Sequence, residues 1–597
     1  MPLQHDPLKN EISACVQKSI SELVSENGLD FSLSGEQLYA SMMIPPQFEL
    51  GQIALPCFPF AKSMRLPPPR IADELAKRIN ESLPNAKQSA ILKVTSVNGY
   101  LNFHANFCNL GSTITNDIRT ENTFKSQLLL PTELEKIVVE YSQPNTLKSL
   151  HVGHLRCLVL GDAVCNLLSY IGHNVVRATY PGDIGAHIAK SLWYIKYKLN
   201  GKIPETDRAQ WLGQIYALAG EALKQDNGTP QETENRTVLS GILKSIQKRE
   251  GEYHELWKQT REWSIADMHR TYDWLNCKFD IWYFESQCDE PARALVKQKL
   301  NEGFFIVNEG ATGLDLSEYK LGFALLLKTD GNGLYLTNDL ELMRKKFEDP
   351  TVTQSIVVVD SRQKLHFQQL FKVGELMGYP QAARSVHLAY ETVNTADGKA
   401  FSSRELNGLK LDHLRFEMEQ KVTQNYLERY RGEWTDAQIE ETARIVTIGA
   451  LKYGMLKVDN GTQVTFVLEE WLRLDGDTGP YLQYVHARCR NILEKVGAAP
   501  ALGTFQFEAV EKQEQELLHL LGRFNEFAIL SATQLRPSVI AGYIYDVAKS
   551  FNRFYEACNI RSSEGNLKLS RLSIVESTAE VMRRGLALLG IPAPLRM

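Results

Sequence analysis

The rhythm of apolar and polar positions changes several times along this chain, and each change marks an element. Ile137-Val138-Val139, between Lys136 and Glu140 and closed by Pro144-Asn145, reads as a short buried parallel strand. Apolar residues at 155, 158, 159, 163, 164, 167, 168 and 171 then follow helical spacing, and Gly172 ends that helix. Asn174 to Tyr180 is a second strand, followed by Pro181-Gly182-Asp183-Ile184-Gly185-Ala186-His187 and another helix. Phe279 to Phe284 alternates as a strand, and Phe323 to Lys328 with Gly333 to Thr337 looks like a hairpin about Thr329-Asp330-Gly331-Asn332. Ser355 to Asp360 is a buried strand leading through Gln363 into a helix from His366 to Met377. The recurring strand, helix, strand order predicts a doubly wound, Rossmann-type α/β domain over residues 132–410. Residues 200–250, rich in Gly, Asn, Thr and charge, look like an insertion between its halves.

The flanks differ. Residues 1–110 predict a separate α+β domain. Asn10 to Asn27 has helical spacing, Pro67-Pro68-Pro69 opens a helix, and two strands surround a Val97-Asn98-Gly99 turn. Residues 111–131 are polar and aperiodic and read as a linker. Residues 411–597 predict an all-helical domain, with short strand pieces only near Val464. One apolar face there runs through Ile540, Ile544, Val547, Ala548, Phe551, Phe554 and Tyr555.

Composition narrows the class. With 43% hydrophobic and 23% charged residues the chain is that of an ordinary soluble protein. No apolar run approaches a membrane span, and the N-terminus lacks a signal pattern. Nine cysteines without a Cys-x-x-Cys pair argue for free thiols in a reducing cytoplasm and against a structural metal. A net charge of −5 means that any nucleic-acid surface must be local.

The chemistry concentrates at the strand-to-helix turn Pro144-Asn145-Thr146-Leu147-Lys148-Ser149-Leu150-His151-Val152-Gly153-His154. A helix start offers free N–H groups and partial positive charge, which suits phosphate. His151 and His154 share one side of the first turn, and Gly153 lets a ligand approach the backbone. Two imidazoles donating to a phosphate would stabilise charge developing during displacement at phosphorus.

Pro-Asn-x-x-Lys-x-x-His-x-Gly-His-Leu-Arg resembles the first nucleotide-binding motif of class I aminoacyl-tRNA synthetases, and the Ser-x-Pro-Asn-x-x-Lys lead-in resembles the arginyl-tRNA synthetases. The resemblance implies an arginine–tRNA ligase that makes arginyl-adenylate from arginine and ATP and passes the arginyl group to the terminal ribose of tRNA. It implies catalytic roles for Lys148, His151, His154 and Lys399, and ATP contacts from Pro144, His151, Gly153, His154, Lys399, Ser402 and Ser403. Asp397-Gly398-Lys399-Ala400-Phe401-Ser402-Ser403-Arg404 stands where the family carries a mobile loop. That loop's second lysine is absent here, and Lys148 is placed to supply the missing charge.

Glu140, Asn145, Tyr335, Asp339 and Gln363 follow or close predicted strands, and in a doubly wound sheet such ends converge on one crevice. By resemblance Tyr335 and Asp339 bind the guanidinium of arginine, Asn145 and Gln363 its α-amino end, and Glu140 joins them. Tyr484, Arg488 and Arg553 are expected to contact tRNA, although aromatics at helical spacing in this region read mostly as core. The resemblance further implies an N-terminal domain that touches tRNA, magnesium arriving with ATP, and a monomer. The sequence departs from the family pattern at Gln143, Asn338, Glu341 and Leu342.

Overall fold

The structure, a computed structural model, describes residues 6–83, 89–120, 134–398, 410–509 and 511–597. The N-terminal unit is α+β. Strands β1 (Ile53–Pro56), β2 (Ile91–Val97) and β3 (Tyr100–Ala105) form an antiparallel sheet in the order β1-β3-β2. Asn98 and Gly99 both hold positive φ, 51° and 84°, as a two-residue hairpin turn demands. Helix Pro68–Ser82 packs on β2 and β3, and helix Pro7–Glu26 packs against that helix.

The expected linker over 111–131 is corrected in its first part. Phe107–Arg119 is a helix, and Phe107, Leu110, Gly111, Thr115 and Ile118 are its buried stripe. Gly111 lies so close to the Phe507 ring that a Cβ there would sit 2.3 Å from it. Arg584 donates to the Ile118 carbonyl at 3.0 Å, and Arg119 donates to the Pro500 carbonyl at 2.7 Å. The partner surface lies nearly four hundred residues or more downstream, so no local pattern could reveal it.

The central domain contributes β4 (Lys136–Glu140), β5 (Asn174–Thr179), β6 (Ile281–Trp282), β7 (Ile306–Asn308), β8 (Ala311–Asp315), β9 (Phe323–Leu327), β10 (Val352–Asp360) and β11 (Ser385–Tyr390). Five of these form one sheet in the order β11-β10-β4-β5-β6, with every neighbouring pair parallel. Counted within the sheet, that order is 3-2-1-4-5, the doubly wound arrangement. Its switch point, where adjacent connections diverge and a crevice opens at the strand C-termini, falls between β4 and β10. β7 to β9 make a small antiparallel sheet, and β12 (Val393–Asn394) pairs parallel with β13 (Val464–Thr465).

Two expected strands are shorter or different. Of Phe279 to Phe284 only β6 pairs. The return arm of the expected hairpin is a single bridge, Leu327 to Gly333, and Tyr335–Lys346 is a helix. Leu336, Leu340 and Met343 are buried along it, a helical spacing that outweighs the local strand-like run. Residues 200–250 are helical too, over Arg208–Gln225 and Pro230–Lys248, joined by the Asp226–Thr229 turn. Their core includes Leu147 of the motif loop.

Helix Val152–Tyr170 lies between the sheet and the C-terminal helices. It alone among the described helices has the length and composition of a membrane span, yet 78% of its apolar window is buried within the protein. A Cβ at Gly161 would fall 2.1 Å from the Tyr141 ring, so glycine sets how closely this helix approaches the residue after β4. Across the other face Asp162 pairs with Lys452 at 2.8 Å, both nearly inaccessible. All nine cysteines are free.

Candidate active site

The loop from β4 to helix Val152–Tyr170 is held in strained but over-determined geometry. Ser142 and Leu147 take left-handed φ, 56° and 64°. Such conformations cost about 1–3 kcal/mol each for non-glycine residues and persist where surroundings impose them. Here they do. The Ser142 N–H donates to Cys157 Sγ, its carbonyl accepts from Thr179, and its hydroxyl pairs with Tyr272. The buried Leu147 donates its N–H to Ser264 at 3.0 Å. Thr146 N–H donates to the Gly182 carbonyl and Gly182 N–H to the Pro144 carbonyl, so the loops after β4 and β5 are tied together. Asp183 anchors the second loop, accepting from Arg261 and twice from Ser286. Gly182-Asp183-Ile184-Gly185 is thus a brace.

The two histidine rings are in contact, centroids 3.9 Å apart and planes tilted by 39°. His151 Nδ1 accepts the Gly153 N–H and His154 Nδ1 accepts the His151 N–H, both at 3.1 Å. With Nδ1 accepting, a neutral ring carries its proton on Nε2. Burial, with Lys148 nearby, pushes the His151 imidazolium down to about 4. Burial, then the charges of His151 and Lys148, holds His154 well below the usual range. Both rings are therefore neutral Nε2–H donors at neutral pH. Lys148 itself lies over the Tyr216 ring at 4.7 Å, on helix Arg208–Gln225. Gly213 of that helix lies against Ser149, so the inserted segment supports the motif directly.

A cavity of about 380 Å³ opens at the switch point. Gly153, His154, Pro144 and Asn145 line it together with Tyr335, Asp339, Glu140 and Gln363. All five expected arginine contacts thus border one space. His151 reaches it only through its contact with His154.

Glu140 already has partners, an ion pair with buried Lys346 and a hydrogen bond from Gln143 at 3.1 Å. It shapes the wall more than it offers a free charge. Tyr335 is a rim residue, 64% exposed. Asn338, one departure from the family pattern, is buried with its side-chain oxygen unpartnered. Glu341, another, pairs with Arg344.

Glu285, His366 and Tyr180 are among the wall residues that escape the sequence reading. Glu285 follows β6 and is 6% exposed. Burial, then the charges of Asp339, Asp183 and Asp289, pushes its carboxyl up to about 8. Its signal was present: a carboxylate directly after an alternating strand whose end reaches the same sheet edge. His366 lies one turn beyond Gln363 and contacts Asp339. Tyr180 directly follows β5, with its hydroxyl buried.

Lys399, Ser402 and Ser403 lie outside the described residues. The chain resumes at Lys410, whose backbone bridges to His151, and Leu411 N–H donates to the Leu150 carbonyl at 3.2 Å.

The expected tRNA residues occupy a different surface. Tyr484 and Arg488 line a second cavity of about 440 Å³ with Tyr430, Trp434, Arg596 and Met597. Arg488 stacks on Tyr555 at 4.1 Å, and Tyr430 stacks on Trp434 with centroids 4.4 Å apart. Arg553 is outside that cavity, exposed and 3.5 Å from Glu516.

Three family models match this chain: an arginyl tRNA synthetase N-terminal domain over residues 10–105, the class I (R) tRNA synthetase catalytic domain over 117–467, and a DALR anticodon-binding domain over 482–597. An arginine–tRNA ligase of Bdellovibrio bacteriovorus is 41% identical, covering 95% of this chain and 96% of its own. One from Clostridium acetobutylicum is 32% identical, covering 93% and 96%. The solved arginyl-tRNA synthetase of Thermus thermophilus superposes with a TM-score of 0.75 at 27% identity, covering 98% of this chain and 100% of that one.

Proposed function

This chain belongs to the class I arginyl-tRNA synthetases, and from that premise we propose that it activates arginine with ATP and esterifies the terminal ribose of tRNA with it. One observation carries the reading. A single cavity at the β4–β10 switch point is lined both by the neutral His154 imidazole at a helix start and by the carboxylates of Asp339 and Glu285. The first suits phosphate oxygens and the second suit a guanidinium.

In the first step the arginine carboxylate attacks the α-phosphorus of ATP and pyrophosphate leaves. His154 Nε2–H, with His151 in contact with it, donates to phosphate oxygens as charge builds there. No covalent bond to the protein forms, so the gain comes from orientation and fixed dipoles. Asn145 and Gln363 hold the α-amino end. Asp339, Glu285 and the Tyr335 hydroxyl receive the guanidinium. Lys148 leaves Tyr216 to meet the phosphates, and Lys399, Ser402 and Ser403 add contacts to the ATP. Magnesium arrives on the phosphates of ATP. In the second step the ribose hydroxyl attacks the adenylate carbonyl and AMP leaves.

Buried acceptors shaped for a planar fork reject lysine, whose ammonium would leave them unpaired. Tyr484 and Arg488 receive unstacked anticodon bases, Arg553 adds charge outside that cavity, and the N-terminal unit contacts the body of the tRNA. The enzyme works as a cytoplasmic monomer.

Charging of purified tRNA with radiolabelled arginine tests the whole reading. Pyrophosphate exchange with tRNA present, one amino acid at a time, tests the substrate, and preference for any amino acid other than arginine would falsify it. Undiminished charging by His154→Ala would remove the imidazoles from the mechanism.

A further inference from the structure

The wall that faces the guanidinium is built from two helices that begin at the cavity. Helix Tyr335–Lys346 carries Tyr335 and Asp339 one turn apart. Helix Lys364–Leu376 follows directly on Gln363 and carries His366 in its first turn. Leu336, Leu340 and Met343 pack the first against Phe367, Leu370 and Val373 of the second, in one buried cluster. At the cavity itself a single polar link joins them. His366 Nε2–H donates to Asp339 Oδ2 at 2.6 Å, with both side chains about one-fifth exposed. It is the only side-chain hydrogen bond that Asp339 makes within the described residues. The neighbouring acid, Glu285, makes no hydrogen bond to Asp339 among the described residues.

We propose that His366 is a positioning residue for guanidinium selection, acting through Asp339. The inference rests on the arginine-activating reading above and adds to it the means by which one carboxylate keeps its orientation. An aspartate on a helix can turn its carboxylate about two bonds. With Oδ2 engaged by His366, Asp339 presents Oδ1 to the cavity in one orientation. A guanidinium needs that fixed orientation because its N–H groups diverge in a rigid plane. An ammonium is a near-isotropic point charge and gains little from it. Removing His366 should therefore cost the fork-shaped ligand far more than the point-like one. Phe367, beside His366, stacks on His387 at 4.4 Å, and His387 is 3.1 Å from the Val359 carbonyl on β10, so the start of this helix is held from behind.

The test uses the full-length enzyme, first shown to charge tRNA with arginine. A parent enzyme that does not charge sinks the arginine-activating reading, whereas the role of His366 is judged on the kinetic constants of an enzyme that does. In His366→Ala, KM for arginine should rise about tenfold, the size expected for losing a charged hydrogen bond. KM for ATP and the inhibition constant for lysine should stay within about twofold. His366→Gln, which keeps a donor, should recover part of the arginine KM. On an Asp339→Asn background, His366→Ala should add little, because the partner it orients is already altered. An unchanged arginine KM would overturn the proposal. So would an equal rise for arginine, ATP and lysine, which marks general damage to the helix pair. An undiminished effect in the Asp339→Asn background would show that His366 acts by another route.

Discussion

The two ends of the cavity respond to burial in opposite directions. At the phosphate end burial discharges bases: His151 is pushed down to about 4, and His154 is held well below the usual imidazole range. At the guanidinium end burial discharges an acid, with Glu285 pushed up to about 8. The cavity wall is thus less charged than its composition suggests. The difference lies in what each end must do next. Neutral imidazoles can donate to phosphate without changing protonation, so they work as they stand. Glu285 must lose a proton before it can pair with a cation, so its end is completed by the ligand.

Removing a donor from the prepared end should have the largest consequence. His154→Ala should lower kcat by about 100- to 1000-fold, the usual loss on deleting one fixed donor to a developing oxyanion. Arginine affinity, measured by equilibrium binding, should change little. A matching loss of arginine affinity would mean that the two ends are not separate devices.

The opposite substitution probes the other end. Glu285→Gln should raise KM for arginine by about 100-fold while leaving KM for ATP near its original value, since a buried charge partner is lost. The same change should stabilise the fold at alkaline pH. A carboxyl whose folded value is about 8 against an ordinary 4.5 holds its proton more tightly when folded. Stability from that group is full at low pH and declines as pH rises through that window. The Gln variant has no such decline, so above pH 8 its melting temperature should exceed the parent's by a few degrees. Equal melting curves would show that Glu285 is not buried as an acid.

The sequence made one end far more legible than the other. The histidine motif is contiguous, and both imidazoles, Gly153 and the helix they open can be recognised from a dozen residues. The acid end is assembled from four separate segments. Asp339 and Gln363 could be found because each follows a strand-like run, even though Tyr335 turned out to open a helix. Glu285 and His366 were missed for a physical reason: their importance comes from what packs beside them, and Asp339 is distant from both in sequence. The same holds for Phe107–Arg119, whose apolar stripe makes sense only against Phe507 and Ile118's partner Arg584.

Titration should sharpen the contrast further. With a value of about 8, Glu285 holds its proton at pH 7, and arginine binding should release up to one proton. Apparent arginine affinity should therefore rise by up to tenfold per pH unit toward about 8 and level off above it. Calorimetric titration in buffers of different ionisation enthalpy would count the proton directly. ATP binding, served by groups that stay neutral through this range, should release none by this route. A flat arginine profile would place Glu285 outside the guanidinium contact.

The smallest effect should come from the rim. Tyr335 is 64% exposed, so it stands at the rim of the cavity and not deep within its wall. Tyr335→Phe replaces that hydroxyl by nothing, and a hydrogen bond exchanged against water is worth roughly 1 kcal/mol. KM for arginine should rise only about threefold to fivefold, with kcat and the pH profile kept. That modest figure is informative because Asp339 lies one turn away on the same helix and faces the same ligand. If Tyr335→Phe instead matched Glu285→Gln in magnitude, the tyrosine would have to close over the cavity when arginine binds. The rim would then belong to the ligand-completed end, and the prepared end would stop at His154.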